Sequence, residues 1–175
     1  MTDRPCIEAW GGYTPVVPAS AWVHPSAVLI GDVTLGERVS IWAGVVLRGD
    51  QGGIVSGDET TIQDGTVAHA TGGVSTVRVG AGCTIGHRAI LHGCRVEDDC
   101  LVGMGSILLD NVVIGAGSVV GAGALVPVGM KVPPGVLLLG MPARVVRTVT
   151  DVDRERVANG RRTYLGLLQS QRSGG

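Results

Sequence analysis

The chain has 175 residues, which suffices for one domain with its own core and is too short for two of full size. Its 14 Lys and Arg nearly balance 15 Asp and Glu, so the charge favours neither a nucleic acid nor an anionic membrane surface as partner. A hydrophobic content of 45% against 17% charged residues excludes a disordered chain. The 29 glycines and the absence of Phe favour thin layers of short strands joined by tight corners.

Residues 1–16 are predicted to form an irregular cap. Asp3, Arg4 and Glu8 interrupt the apolar run that a secretory signal needs, so no signal peptide is predicted. The four cysteines form no C-x-x-C pair, which favours reduced thiols. No apolar run approaches the roughly 20 residues of a membrane span. We therefore expect a soluble, cytoplasmic protein that inserts in no membrane.

From residue 17 to about residue 143 the chain follows a six-residue period. An aliphatic side chain recurs at every sixth position, at Val17, Val23, Leu29, Leu35, Ile41 and Leu47, and again at Val96, Val102, Leu108, Ile114, Val120, Val126, Val132 and Leu138. Neither a helix nor a simple strand has a period of six. A triangular solenoid does, because each hexapeptide supplies one strand and one corner, and three hexapeptides make one coil. Stacked at about 4.8 Å, roughly seven coils fit this segment.

The period is interrupted twice. The first interruption, between Leu47 and Ile62, contains the polar and Gly-rich segment 48–53, and the second covers residues 70–75. Loops that leave a rigid solenoid are where function usually lies. Both segments are therefore predicted to be loops near a functional site.

The period ends after Pro142, and the remaining segment, 144–175, is predicted to hold a helix and a tail. Thr150 followed by Asp153 predicts a capping box, and the apolar residues after it fall at helical spacing. The predicted helix runs over about 151–169 and lies against the prism or a neighbouring subunit. Residues 170–175 are predicted to fray.

Three histidines, His69, His87 and His92, lie near the middle of the repeat. His69 and His87 are 18 residues apart, so the coil length predicts that they share one side of the prism if the interruption at 70–75 is compensated, with His92 one hexapeptide further round. Three histidines without a fourth protein ligand match a catalytic Zn²⁺ site that keeps one position open. Each could instead be an exposed or hydrogen-bonded corner residue, but the spacing of the set favours a metal. His24, in the first coil, receives no ligand role.

Several motifs resemble the γ-class carbonic anhydrase family, over about residues 10–168. These are VLRGD at 46–50, IQDGTVAH at 62–69, IGH at 85–87, LHGC at 91–94, LVGMG at 101–105 and VGAGALV at 120–126. They are more specific than the hexapeptide period, which acyltransferases also carry. The resemblance implies an all-β solenoid, a left-handed parallel β-helix with a C-terminal α-helix, that assembles as a homotrimer with its active sites between subunits.

The resemblance also implies the metal ligands and the reaction. His69 and His92 of one subunit and His87 of its neighbour would hold Zn²⁺, with Fe²⁺ or Co²⁺ as other possible ions. A metal-bound hydroxide would then hydrate CO₂ reversibly to bicarbonate. Small molecules, and not nucleic acids, are therefore the expected partners besides other copies of the chain.

Further site residues follow from the same resemblance. Gln63 matches an amide near the metal, and Arg48 matches an interface arginine whose planar fork can hold bicarbonate. Asp50 and Asp64 are the matching carboxylates. For these three charged residues, locking the trimer through ion pairs is an equally good interpretation.

Two residues of the terminal helix, Asn159 and Tyr164, have the spacing of an Asn and a Tyr near the active site of the family, although packing alone would also explain Tyr164. The sequence departs from the most active members at Gln51, where they carry an acid that is thought to shuttle protons. Neutral Gln51 cannot accept a proton, so fast turnover is not expected.

Two other functions stay open. The first is acyl transfer to or from CoA, or hydrolysis of an acyl-CoA thioester, because hexapeptide prisms also host such enzymes. The second is a catalytically silent metal-binding or ligand-binding role.

Overall fold

The protein is a left-handed parallel β-solenoid of about seven turns with one C-terminal helix, in a computed structural model that describes residues 4–173. In chain order the strands are β1 (Cys6–Glu8), β2 (Trp22–Val23), β3 (Val28–Leu35), β4 (Ser40–Ile41), β5 (Val46–Ser56), β6 (Thr61–Ile62), β7 (Val67–His69), β8 (Val77–Val79), β9 (Thr84–Ile85), β10 (Ile90–His92), β11 (Arg95–Val96), β12 (Leu101–Val102), β13 (Ile107–Leu108), β14 (Val113–Ile114), β15 (Val119–Val120), β16 (Leu125–Val126), β17 (Lys131–Val132), β18 (Val136–Leu139) and β19 (Arg144–Thr148), followed by helix α1 (Asp151–Arg172). The predicted fold class is confirmed.

The strands stack into three flat faces. The first face contains β7, β10, β13 and β16 on the beginning of β5, and the second contains β8, β11, β14 and β17 on the end of β5. The third face runs from β2 through β4, β6, β9, β12 and β15 to β18, with β19 added antiparallel at its end. Each strand bonds to the coils above and below, so the backbone N–H and C=O groups are satisfied without long strands.

The aliphatic repeat fills the axis of the prism. Fully buried members include Leu29, Ile41, Leu47, Ile85, Leu91, Val102, Leu108, Ile114 and Val120. Corners between the strands require a left-handed backbone, which glycine adopts without strain, as at Gly65 (φ 69°) and Gly117 (φ 66°). Tight corners therefore account for the high glycine content, and small aliphatic side chains account for a core without Phe.

All the irregularities of the repeat lie at the corner that joins the first face to the second. Segment 48–53, predicted as a loop, instead lies inside β5 as a bulge. On β3, Gly31 and Val33 are two positions apart, but their partners on β5, Gly49 and Ile54, are five positions apart. The bulge therefore places three extra residues in β5. Residues 70–75 do leave the solenoid between β7 and β8, and include a turn. One coil later the corner is instead shortened by a residue.

The two ends of the chain are more regular than predicted. Within the predicted irregular cap, β1 pairs in parallel with β3. Helix α1 begins with the predicted capping box at Thr150 and Asp153, and it continues to Arg172, three residues beyond the predicted end. Residues 170–172 are therefore helical, contrary to the predicted fraying. Residues 1–3 and 174–175, which belong to the predicted cap and tail, lie outside the described residues.

The three faces present different surfaces. Helix α1 covers the third face, burying Val157 and Leu168 and packing Tyr164 edge-on against Trp42. The second face carries a column of charged and aliphatic side chains, exposed at Val55, Arg78, Arg95 and Lys131 and half-buried at Val113. The outward column of the first face is aliphatic at Val46, Val67, Ile90, Ile107 and Leu125. Within residues 4–173, no helix has the length and apolar character needed to cross a bilayer.

Candidate metal centre

His69 and His92 are neighbours at the ends of strands β7 and β10. They are direct partners in the parallel pairing, and their ring centroids are 5.4 Å apart. The predicted condition for His69 and His87 to share one side of the prism, that the interruption at 70–75 is compensated, is not met. Residues inserted at 70–75 lengthen this coil to 23 residues, so the residue one coil above His69 is His92 and not His87.

His87 lies at the other edge of the first face, in the corner that precedes β10. It lies five positions before His92, at the opposite end of β10. An extended strand of this length separates the two positions by about 16 Å, so His87 is remote from the other two histidines of its own chain. In agreement, residues 4–173 contain no group of three or more His, Cys, Asp or Glu side chains arranged to hold a metal.

In each of the three imidazoles, one ring nitrogen lies within hydrogen-bond distance of an aspartate carboxylate. His69 Nε2 is 3.1 Å from Asp50 Oδ1, and His87 Nδ1 is 2.8 Å from Asp64 Oδ2. The third pair, between His92 Nδ1 and an Asp110 oxygen, measures 3.2 Å. Such carboxylates orient histidine ligands and raise their basicity, and the second nitrogen of each ring has no partner among the described residues. The donor chemistry therefore fits a divalent ion.

Asp50 connects His69 to Arg48, whose Nη1 donates to Asp50 Oδ2 at 2.5 Å. Burial opposes ionisation of this carboxyl, but hydrogen bonds from Arg48 and His69 outweigh it and keep the pKa of Asp50 below its ordinary value. Asp50 therefore stays anionic at neutral pH. Arg48 is 43% exposed and keeps part of its guanidinium free for an anion.

Asp110 is a residue of this site that the sequence analysis missed. It lies in the coil above His92, 18 residues along the chain, but the shortened corner makes this coil 17 residues long, since Leu91 pairs with Leu108, so no simple spacing signalled the contact. Ser75 Oγ and Thr71 Oγ1 also donate to its carboxylate, at 2.5 and 3.0 Å. The Ser75 hydrogen bond is the main cause that lowers the pKa of Asp110.

Gln63 and Tyr164 lie on the His87 side of the first face. Gln63 is buried directly before Asp64, the partner of His87, and its side-chain amide forms no hydrogen bond with residues 4–173. Tyr164 is half-buried, and burial followed by the nearby charge of Asp64 raises its pKa. Asn159 is exposed on α1, where its side chain accepts from Arg162, and the structure does not bring it to either group of histidines.

All the predicted residues except Asn159 thus fall into two groups, which we call half-sites. One half-site contains His69, His92, Asp50 and Arg48, together with the unpredicted Asp110, and the other contains His87, Asp64, Gln63 and Tyr164. They occupy opposite edges of the first face. Each half is incomplete as a tetrahedral metal site.

Sequence and structure comparisons identify the family. A family model for the bacterial transferase hexapeptide, with six repeats, matches residues 14–49 and 93–127. The mitochondrial gamma carbonic anhydrase 2 of Arabidopsis thaliana is 41% identical over 161 residues, and a carbonic anhydrase of Geobacillus kaustophilus is 43% identical over 173 residues, which are 95% of this chain and 94% of that protein. The chain belongs to the γ-class carbonic anhydrase family.

The chain is also similar to proteins with other names. The carnitine operon protein CaiE of Escherichia coli K12 is 47% identical over 143 residues, which are 82% of this chain and 72% of that protein. A crystal structure from Bacillus cereus, provisionally described as an acetyltransferase, superposes with a TM-score of 0.95 at 36% identity, covering 98% of this chain and 99% of that one. The chain spans 58% of the length of the Arabidopsis relative. Membership in the family therefore leaves the activity to be argued from the site.

Proposed function

We propose that the chain is a metal-dependent enzyme of the carbonic anhydrase type, which hydrates CO₂ reversibly to bicarbonate at sites shared between subunits. The observation that carries this proposal is the position of the two half-sites at opposite edges of one uncovered face. A second copy of the chain can bring its His87 edge to the edge that carries His69 and His92.

The composition of the first face supports a second copy as its occupant. Its outward column is aliphatic, and both Val67 and Ile90 are more than a third exposed in the isolated chain. Exposed aliphatic surface of this kind favours a protein contact. Because the contact joins two different edges, it is heterologous, and such contacts form a closed ring when the rotation between copies divides a full turn. A triangular prism suits a ring of three, so we propose a homotrimer with one site at each interface.

The three imidazoles and their carboxylates match the preferences of Zn²⁺, and imidazole also suits Fe²⁺ and Co²⁺. Asp50, Asp64 and Asp110 would fix the ring orientations of the ligands. When bound, such an ion lowers the pKa of a coordinated water from 15.7 to about 7, which supplies the nucleophile for CO₂ at neutral pH.

The other residues of the two half-sites would bind and orient the reactants. The unpartnered amide of Gln63 can hydrogen-bond the attacking oxygen, and the exposed part of the Arg48 guanidinium can hold bicarbonate through parallel N–H donors. Gln51 is exposed beside Asp50 but cannot accept a proton. Proton removal to solvent would therefore depend on buffer, and turnover would be slow.

A second candidate is favoured by the acetyltransferase description of the similar Bacillus cereus structure. The same half-sites could hydrolyse an acyl-CoA thioester, or a histidine without metal could serve acyl transfer. Assays with a panel of acyl-CoA substrates separate this candidate from CO₂ hydration. A trimer that holds metal but turns over neither class of substrate would instead be a silent member of the family.

The first prediction concerns His87, which supplies one of the three imidazoles. We expect the purified protein to hold about one Zn²⁺ or Fe²⁺ per subunit and to accelerate CO₂ hydration in stopped flow, assayed anaerobically and with added Zn²⁺. His87→Ala should lose most of both, because two imidazoles remain. The matched control is His24→Ala, since within residues 4–173 the His24 side chain hydrogen-bonds only Ser26 and packs against Trp22 in the first coil, away from both half-sites. Full activity in the metal-depleted His87→Ala protein would contradict the proposed function.

A further inference from the structure

The irregular corner between the first and second faces builds a polar network around Asp110. The turn within residues 70–75 supplies Thr71 and Ser75, and the coil above supplies Asp110 itself. His92, at the end of β10, completes the network. Two departures from the repeat, the inserted turn and the corner shortened after His92, therefore meet at one carboxylate.

The close approach of these groups requires glycine at position 93. A Cβ atom there would lie 2.1 Å from both Asp110 Oδ1 and Ser75 Oγ, and the backbone has φ +63°. Any larger residue would therefore displace the serine hydroxyl or the carboxylate. The local backbone is adapted to the network.

Asp110 differs from the other two carboxylates that contact the histidines. Asp50 shares its charge with Arg48, and Asp64 has a side chain 47% exposed to water. Asp110 has a side chain 22% exposed, and within residues 4–173 no Lys or Arg forms an ion pair with it. Its other partners are the neutral hydroxyls, so its negative charge acts mainly on His92.

The hydrogen-bond roles in this network are fixed by chemistry. An ionised carboxylate only accepts hydrogen bonds, so the nitrogen of His92 that faces it must carry the proton. That nitrogen is Nδ1, which leaves the lone pair on Nε2. The two hydroxyls hold the carboxylate in place by donating to both of its oxygens.

We propose that Asp110 is a positioning residue that holds His92 in the tautomer protonated on Nδ1, and that the inserted turn exists to fix Asp110. This inference rests on the proposed function for its metal, although the tautomer itself does not. Thr71 and Ser75 act through Asp110, and Asp110 acts through His92. The inserted segment thus has a role in ligand orientation that the hexapeptide repeat alone could not supply.

The test compares Asp110→Asn with Asp98→Asn. Asp98 is also a corner carboxylate, but it accepts from the backbone N–H of Ala81 and touches no histidine. We expect Asp110→Asn to weaken Zn²⁺ binding by about 10- to 100-fold in competition with a chromophoric chelator. It should also alter the visible spectrum of the Co²⁺-loaded protein, whereas Asp98→Asn should change neither. Equal effects of the two substitutions would overturn the inference.

Two further measurements keep the test decisive. Nitrogen NMR of the metal-free protein, at a pH where the imidazoles are neutral, should show His92 protonated on Nδ1 in the wild type and a mixture of tautomers in Asp110→Ala, whose methyl group cannot accept a hydrogen bond as the amide oxygen of Asn can. This readout still decides the inference if the wild type binds no metal and the proposed function fails. If Asp110→Asn does not fold, Ser75→Ala replaces it, with a smaller loss of Zn²⁺ affinity expected. An unchanged tautomer in a folded variant would refute the inference.

Discussion

Asp153 anchors the start of helix α1 through two kinds of contact. Its Oδ2 accepts from the backbone N–H and the hydroxyl of Thr150, both at 2.8 Å, and both of its oxygens pair with Arg147 on β19. The ion pair with Arg147 is the largest cause that lowers the pKa of Asp153, followed by the bonds from Thr150. The carboxylate form therefore stabilises the folded state more than the unfolded one.

The sign of the pH dependence follows from this depressed pKa. An unfolded Asp has a pKa of about 3.9, so the stabilisation is fully present above that pH and is lost as the pH falls towards the lower folded value. We expect Asp153→Asn to lower the thermal unfolding midpoint by a constant amount between about pH 5 and 8. Below about pH 4 the gap to the wild type should shrink. A gap that stays constant down to pH 2 would show that ionisation of Asp153 contributes nothing.

At the residue scale, sequence motifs identified the histidines but not their neighbours in space. The 18-residue count placed His69 with His87 only if the interruption at 70–75 was compensated, and the sequence could not show that these residues lengthen the coil. Asp110 was missed because it belongs to no motif and contacts His92 only through the stacking of coils. Predicting it would have required the register across the shortened corner.

At the scale of elements, the aliphatic surface of the first face and the histidines at its two edges indicate that this face contacts another copy of the chain. Helix α1 was predictable from its capping box and spacing, and its packing on the third face leaves the first face free. The extent of β5 was not predictable, because a Gly-rich polar sequence gives the same signal for a loop and for a bulge inside a strand. Pairing with β3 decides between them.

Two valines test which face is the interface. Val67, in the outward column of the first face, and Val55, in that of the second, are both 37% exposed in the single chain. We expect Val67→Glu to convert the trimer to monomers in sedimentation velocity and to remove the bound metal, because a charge would be buried without a partner. Val55→Glu should leave both unchanged. A metal-loaded trimer for Val67→Glu would exclude the first face from the contact.

At the scale of the whole molecule, the fold was predictable because a strict period of six has few physical solutions. Aliphatic residues that recur at this interval can be buried together only along the axis of a prism, and their burial is observed. Assembly is harder to predict, since one chain holds only half-sites. What indicates it is the combination of an aliphatic face with ligands at both of its edges.

The most direct test is to measure metal content and CO₂ hydration in a mixture of two variants, each of which lacks a different histidine of the site. His87→Ala and His92→Ala subunits, combined in equal amounts by refolding or co-expression, can form one intact site in each mixed ring of three. Since three quarters of randomly assembled trimers are mixed, about one quarter of the wild-type metal content and CO₂ hydration should return. Each variant alone should show almost none. If the mixture binds no more metal than the separate variants, the histidines do not meet between subunits, and the central claim is wrong.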